Sequence, residues 1–372
     1  SLTSIVIPSS VICIGTWAFY GCESLTNIAI PSSVNSIGDK AFDGCSSLTS
    51  IVIPDSVTSI GDMAFCGCSS LKYISIPKSV ICLNVNPFFK WDGKLECLSP
   101  NFIYEDDVLF NKDKSKIIAF RDKNTTSYVI PDSVSCVGSS AFYDCKSLKN
   151  LVIPDSVTSI GESAFEGCSS LRSLVIPDSV TSIGKGAFKW CKFLTNIAIP
   201  YSVTSIGDGA FNECSALRSV VIPNSVTSIG DGAFDHCSAL RSIVIPDSVT
   251  NIGDRAFTAC YSLSNIVIPN GVTSIGDEAF AYCKSLRSIV IPDGVTRIGD
   301  RAFKVCYSLS NIVIPNGVTS IGDGAFAECK SLRSIIIPDG VTRIGDEAFQ
   351  FCNFPNDLKQ ELISRFGEKI FG

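Results

Sequence analysis

The sequence predicts a mainly β, repeat α/β solenoid: a chain wound into stacked coils. Two observations carry that prediction. Prolines in Ile-Pro steps fall at Pro8, Pro31, Pro54 and Pro77, then from Pro131 to Pro338, at intervals of 23 residues, with one wider interval of 54 between Pro77 and Pro131. Each interval repeats one apolar wording, as in "SIVIPDSVTSIGDMAFCGC" and "SIIIPDGVTRIGDEAFQFC". Self-similarity at such a period marks an architecture in which no coil buries its apolar faces alone and neighbours must stack.

Local chemistry divides each coil. "SIVIP" alternates and is rich in β-branched residues, so it reads as a short strand with two side chains inward and two outward. Proline ends that strand's pairing because it has no N–H to give. "SVTSIG" is a second extended piece with Val and Ile inward, and its glycine is expected to make a tight or left-handed turn. "DxAFxxC" reads as one helical turn. Its Asp (Asp231, Asp254, Asp277 and equivalents) is the expected N-cap, with Ala, Phe and Cys facing inward. At ~4.8 Å between strands, about fifteen coils would stack over roughly 70 Å.

The full wording is L-x-x-I-x-I-P-x-[SG]-V-x-x-I-G-x-x-A-F-x-x-C, and it covers nearly the whole chain. It resembles the BspA-like class of leucine-rich repeats. The resemblance implies a curved leucine-rich-repeat superhelix with a parallel sheet on its concave side. It also implies a cell-surface or secreted protein of a host-associated microbe, and in some members binding to host matrix or plasma proteins. The chain departs from the common leucine-rich pattern at the Asn position, which holds Ser or Gly (Ser156, Ser248, Gly294). No Asn ladder is therefore expected.

Composition narrows the function. The 372 residues are 45% hydrophobic and carry a formal net charge of −6. An acidic chain argues against nucleic acid as a partner, since such binders carry a basic face. No apolar run reaches the roughly 18 residues a membrane-spanning helix needs. The chain starts in mid-repeat, at "SLTSIVIP" and without Met, so it reads as a fragment or mature piece and the lack of a signal peptide is uninformative.

The expected organisation is regular coils over 1–80, a degenerate coil with a β-hairpin insertion over 81–127, regular coils over 128–352 and a cap over 353–372, all in one continuous solenoid. Within the break, "DVLF-NKDKS-KIIAF" reads as the hairpin, and the resemblance implies that similar islands occur in the family. Phe88, Phe89, Trp91, Phe102 and Tyr104 either pack into the embellished coil or, if exposed, form a partner patch. In "NFPNDLKQELISRFGEKIFG", Leu358, Leu362, Phe366 and Ile370 lie four apart, as on an amphipathic helix closing the last coil. Residues 261–306 and 307–352 are nearly identical, a two-coil duplication. Added coils lengthen a contact surface, which suits binding better than a single catalytic pocket.

Nothing in the chain carries recognisable catalytic chemistry. Thirteen of the eighteen cysteines share one phase, from Cys22 to Cys352. They are expected as an inward column of free thiols acting as small apolar groups. The single His236 sits beside Cys237 on the opposite side of the chain, which does not make a nucleophile pair. No C-x-x-C pair or phosphate loop occurs, so no metal and no cofactor are expected. The many free thiols suit a reducing setting, which keeps a cytoplasmic location open beside the surface location the resemblance implies.

The expected binding site is the concave strand face. There Val221, Val244, Val267, Val290 and Val313 point outward, with Val175 and Ile336 extending the stripe. Arg172, Arg218, Arg241, Arg287 and Arg333 line one edge. Asp155, Asp178, Asp247, Asp293 and Asp339 line the other, about six strand residues away or roughly 20 Å. This predicts a non-catalytic protein-binding or adhesion solenoid that takes a host or matrix protein on its concave face. The alternative is the recognition arm of a larger intracellular signalling or defence protein whose activity lies in a missing N-terminal part.

Overall fold

The computed structural model describes residues 2–83 and 85–372. The fold is a mostly-β parallel solenoid of about 15 turns with coils of ~23 residues. The chain divides into two compact units: residues 1–125, 131–145 and 160–165 form one, and 126–130, 146–159 and 166–372 the other.

In the second unit, seven three-residue strands form one parallel sheet, from Ser173–Val175 to Asn311–Val313. Their register is one coil per step, as in Asn265↔Ser288, Ile266↔Ile289 and Val267↔Val290. The middle residue of each strand is buried and its two neighbours are exposed. Two-residue strands form the second side, in a four-stranded sheet from Ser274–Ile275 to Arg343–Ile344. The first unit repeats the scheme with Ser4–Val6, Asn27–Ala29 and Ser50–Val52.

The third side is not a helical turn. Bonds of two kinds alternate along it. Ala233, Asp235 and Cys237 donate their N–H three residues back, to Gly230, Gly232 and Phe234. Gly232, Phe234 and His236 donate instead to the next coil, at Asp254, Ala256 and Thr258. Each turn segment is thus also a ladder. The alternation requires left-handed backbone at the residue after Asp and the residue before Cys, as at Gly232 (φ 57°) and His236 (φ 60°). The Asp therefore caps no helix. Its Oδ1 accepts the N–H of the equivalent Asp one coil later, at 2.7–3.0 Å from Asp208 through Asp346.

The glycine of "SIG" is not left-handed, contrary to the sequence expectation. It is required by close approach: a Cβ at Gly253 would sit 2.4 Å from Asp231 Oδ1 and 2.6 Å from its N. The expected absence of an Asn ladder is explained by a substitute. Ser179, Ser225 and Ser248 donate their hydroxyls to the carbonyls of Val157, Val203 and Val226 in the preceding coil, at 2.6–2.7 Å.

Inside, phenylalanines stack. From Phe188 to Phe349 the ring centroids lie 5.3–5.7 Å apart with planes within 10°. Each ring thereby meets two others as well as the aliphatic side chains of its own coil. Beside this column runs the cysteine column. The thiols of Cys214, Cys237, Cys260, Cys283, Cys306, Cys329 and Cys352 each donate to the carbonyl of the Phe 26 residues earlier, at 3.1–3.3 Å. Cysteine fills this position as a small buried group that can also satisfy a backbone acceptor.

At the break, the coil pattern survives better than the sequence suggests. Phe88 continues the aromatic column, 6.3 Å from Phe65. Lys94–Cys97 pairs in parallel with Tyr73–Ile76. An antiparallel meander of Phe102–Glu105, Val108–Asn111 and Lys116–Phe120 follows, one strand more than the expected hairpin. Its last strand rejoins the parallel pattern at Cys136–Val137.

At the C-terminus, the helix Asn356–Phe366 ends at Gly367 (φ 88°), so Ile370 lies beyond it, in a short 3-10 turn. That turn, rather than the helix, supplies the ladder partners of the last coil. Glu347 N–H donates to Lys369 O at 2.6 Å and Phe349 N–H to Ile370 O at 2.8 Å. Phe354 and Phe371 close the aromatic column over Phe349, at 5.4 and 6.1 Å.

Candidate interaction surface

The exposed face of the three-residue strands carries the apolar stripe. Val175, Val221, Val244, Val267, Val290, Val313 and Ile336 are 65–83% exposed. The alternation that exposes them also buries Ile243 and Ile245 on either side of Val244. Ser242, Asn265 and Ser288 stand beside the valines, also exposed. Ala198 makes a step in the stripe between Val175 and Val221.

Arg172, Arg218, Arg241, Arg287 and Arg333 are exposed, just before the strands, and Asp155, Asp178, Asp247, Asp293 and Asp339 are exposed just after. The strands are three residues long rather than six, but the six-residue separation along the chain stands. Backbone bonds extend the ladder to the arginine position: Arg218 N–H donates to Thr195 O and Arg241 N–H to Arg218 O, both at 3.2 Å. Among the described residues, none of these five arginines forms an ion pair within 4 Å.

The aromatic patch proposed for the break is not a surface. Phe88, Trp91 and Phe102 are buried. Trp91 donates its indole N–H to Leu71 O at 2.7 Å. The guanidinium of Arg121 lies 4.5 Å from the Trp91 ring centre and donates to the carbonyls of Trp91 and Gly93. Phe89 is half-buried against Tyr143, with ring centres 3.9 Å apart. Tyr104 is half-buried and donates its hydroxyl to Asp107 at 2.7 Å. Phe88 joins the aromatic column of the coils and Trp91 packs on it, while Phe102 and Tyr104 lie on the first strand of the meander.

The thiols are inert. Of the thirteen in-phase cysteines, twelve are buried and Cys22 is half-buried. Burial pushes the thiols of Cys283 and Cys352 up to about 12. It raises those of Cys237, Cys260 and Cys306 well above the ordinary value, and neighbouring thiols of the column add to the effect. A thiol that stays protonated is neither nucleophile nor metal ligand. Among the described residues, no cluster of His, Cys, Asp and Glu is arranged to hold a metal ion.

Sequence reasoning missed one polar hub. Asp235 is buried rather than outward. Its carboxylate meets His236 Nδ1 at 2.6 Å, Arg255 Nη2 at 3.5 Å and Asn212 Nδ2 at 3.2 Å. Burial raises the Asp235 carboxyl, and the charge and hydrogen bond of His236 work against that rise. His236 is therefore half-buried and paired. The position varies from coil to coil, holding Asp43, Glu166, Lys189, Asn212 and Thr258 among others, so the repeat itself gave no signal of the hub.

The profile of the family described as BspA type leucine rich repeat region (6 copies) matches residues 1–100, 116–241 and 227–355. Among solved structures, a leucine-rich repeat protein from Bacteroides ovatus is 31% identical, with 98% of this chain and 90% of that chain covered and a TM-score of 0.60. A leucine rich cell surface protein from Faecalibacterium prausnitzii is also 31% identical, with 90% and 87% covered and a TM-score of 0.50. No curated protein matches. Period, ladder chemistry and these likenesses agree: the chain belongs to the BspA-type leucine-rich repeat family.

Proposed function

We propose that this chain is a non-catalytic protein-binding or adhesion solenoid that takes a host or matrix protein on the exposed face of its three-residue strands. One observation carries the reading: a stripe of exposed valines, unbroken from Val221 to Val313, over stacked strands. Soluble surfaces rarely leave so long an apolar row without a partner. The unpaired arginine edge and the aspartate edge add polarity. They give a partner one preferred orientation and make its encounter sensitive to salt.

A cell-surface location belongs to the same proposal. Its support is family membership and the neighbour described as a cell surface protein. No helix of the described residues is long and apolar enough to cross a membrane.

The test is a binding screen of the immobilised chain against a panel of purified matrix and plasma proteins. At least one should bind, with a rate of association that falls as salt rises. R218E/R241E/R287E should slow association about tenfold or more while leaving the melting midpoint in place. Failure of the whole panel to bind, or salt-independent binding untouched by the triple change, would remove the proposal. Excising residues 88–127 is not a usable control, because Phe88 and Trp91 are core residues.

A further inference from the structure

We propose that a basic band beside the exposed strand face of the second unit binds a linear sulfated polysaccharide. In the repeat this band is the five residues after each column cysteine, from 146–150 to 330–334. Its nine segments hold ten of the chain's 30 lysines and arginines and none of its 36 acidic residues. All ten cations are exposed. From Arg172 to Arg333, none of those in the band forms an ion pair among the described residues.

The fold does not require this segregation. The equivalent segments of the first unit, 23–27, 46–50 and 69–73, hold Glu23, Thr26 and Thr49 where the band has cations, and only Lys72 is basic. Nor is one letter copied along the repeat. Lysine follows the cysteine at Lys192, Lys284 and Lys330, while arginine precedes the strand at Arg218, Arg241 and Arg287. The coils with neither, at 261–265 and 307–311, carry Tyr, Ser and Asn around the buried Leu. What the two columns share is the sign of their charge.

The columns stand on a continuous backbone ladder. Thr195 N–H donates to Arg172 O at 2.9 Å, and the bonds continue through Arg218, Arg241, Ser264 and Arg287 to Ser310, at 3.1–3.3 Å. Two lysines are also held by rings. Lys284 Nζ lies 4.8 Å from the ring centre of Tyr261, and Lys330 Nζ 4.9 Å from that of Tyr307. Cations fixed in advance lose less side-chain freedom when a polyanion arrives.

Spacing and chemistry identify the ligand. The pair Lys284/Arg287 recurs two coils later as Lys330/Arg333, which at two strand spacings is about 10 Å away. That is on the scale of a disaccharide. Two cations per disaccharide call for a polysaccharide that carries sulfate groups as well as carboxylates. Duplex phosphates are far denser, one per ~3.4 Å of each strand. Single-stranded nucleic acid needs open aromatic faces for its bases, whereas lysines lie over Tyr261 and Tyr307. Exposed Ser288, Ser310 and Asn311 stand among the cations, and their hydroxyls and amide suit sugar hydroxyls. The fork of N–H donors on each arginine suits an oxyanion.

The probes are heparin, hyaluronan, neutral dextran and poly(dT), each passed over the immobilised chain. Heparin should bind with an affinity that falls steeply as salt rises, hyaluronan about tenfold or more weakly, and dextran not at all. K284Q/R287Q/K330Q/R333Q should lower the heparin affinity about tenfold or more and flatten its salt dependence. Its melting midpoint should not move, because all four side chains are exposed. K185Q/K189Q/R301Q/K304Q removes as many charges outside the band and should keep the heparin affinity within about threefold. Equal losses in the two variants, no binding of heparin, or binding of any other probe as tight as that of heparin would overturn the inference. V221S/V244S/V267S should leave heparin binding in place, so this inference and the strand-face reading fail separately.

Discussion

At the scale of single residues, the column cysteines combine apolar burial with a hydrogen bond. Cys237 is fully buried and donates to Phe211 O at 3.2 Å. Replacing it with Ala should cost about 1–2 kcal/mol, from a small cavity and an orphaned carbonyl. Native labelling with a thiol reagent should reach only exposed Cys13 and half-buried Cys22, Cys82, Cys97 and Cys136, and all eighteen after denaturation. Rapid native labelling of the column, or a disulfide in the intact mass, would contradict its burial. Asp235→Ala should also be costly, by roughly 1–3 kcal/mol, because it strands Asn212 and Arg255 around a buried site. A midpoint unchanged in urea would refute that hub.

At the scale of the element, the ladders set stability. Phe234 is fully buried between Phe211 and Phe257, at 5.4 Å from each. Phe234→Ala should lower stability by about 3–5 kcal/mol. The aspartate ladder meets the break at Asp62, which donates its N–H to Asp39 Oδ1. Asp62 Oδ1 is itself buried without a partner among the described residues. Burial, and then the Asp39 carboxylate, push the Asp62 carboxyl from 3.8 up to about 6. The folded chain thus holds a proton that the unfolded chain releases first. Stability falls as pH rises through about 4 to 6 and stays lowered above it. Asp62→Asn should remove that fall and gain about 1–2 kcal/mol at pH 7, after allowance for screening at a half-exposed site. Urea midpoints at pH 4 and 7 check this, and the same pH dependence in both proteins would exclude Asp62 as its source.

These elements differ in how well the sequence announces them. The strand and its terminating proline were legible because alternation has a period of two and proline has no N–H. The turn side was not. Ala, Phe and Cys at their spacing satisfy a helical turn equally well, and no local rule places Tyr282 or Val305 at positive φ. That conformation is imposed by bonds to the next coil. Phe88 was legible only by counting 23 residues from Phe65, because the letters around it have lost the pattern.

At the scale of the whole molecule, repetition sets the character of the strand side. The strand side repeats, so it supplies apolar area and a polar sense without choosing a position. Several turn-side carboxylates are tied into the aspartate ladder or into ion pairs, while the strand-edge arginines stay unpaired. The central claim is that the valine stripe binds protein. It is tested most directly by the affinity of V221S/V244S/V267S for whichever panel protein binds the unaltered chain. All three side chains are at least 68% exposed, so folding should not suffer. The account predicts a loss of tenfold or more at an unchanged melting midpoint, and an affinity within twofold of the original would contradict it.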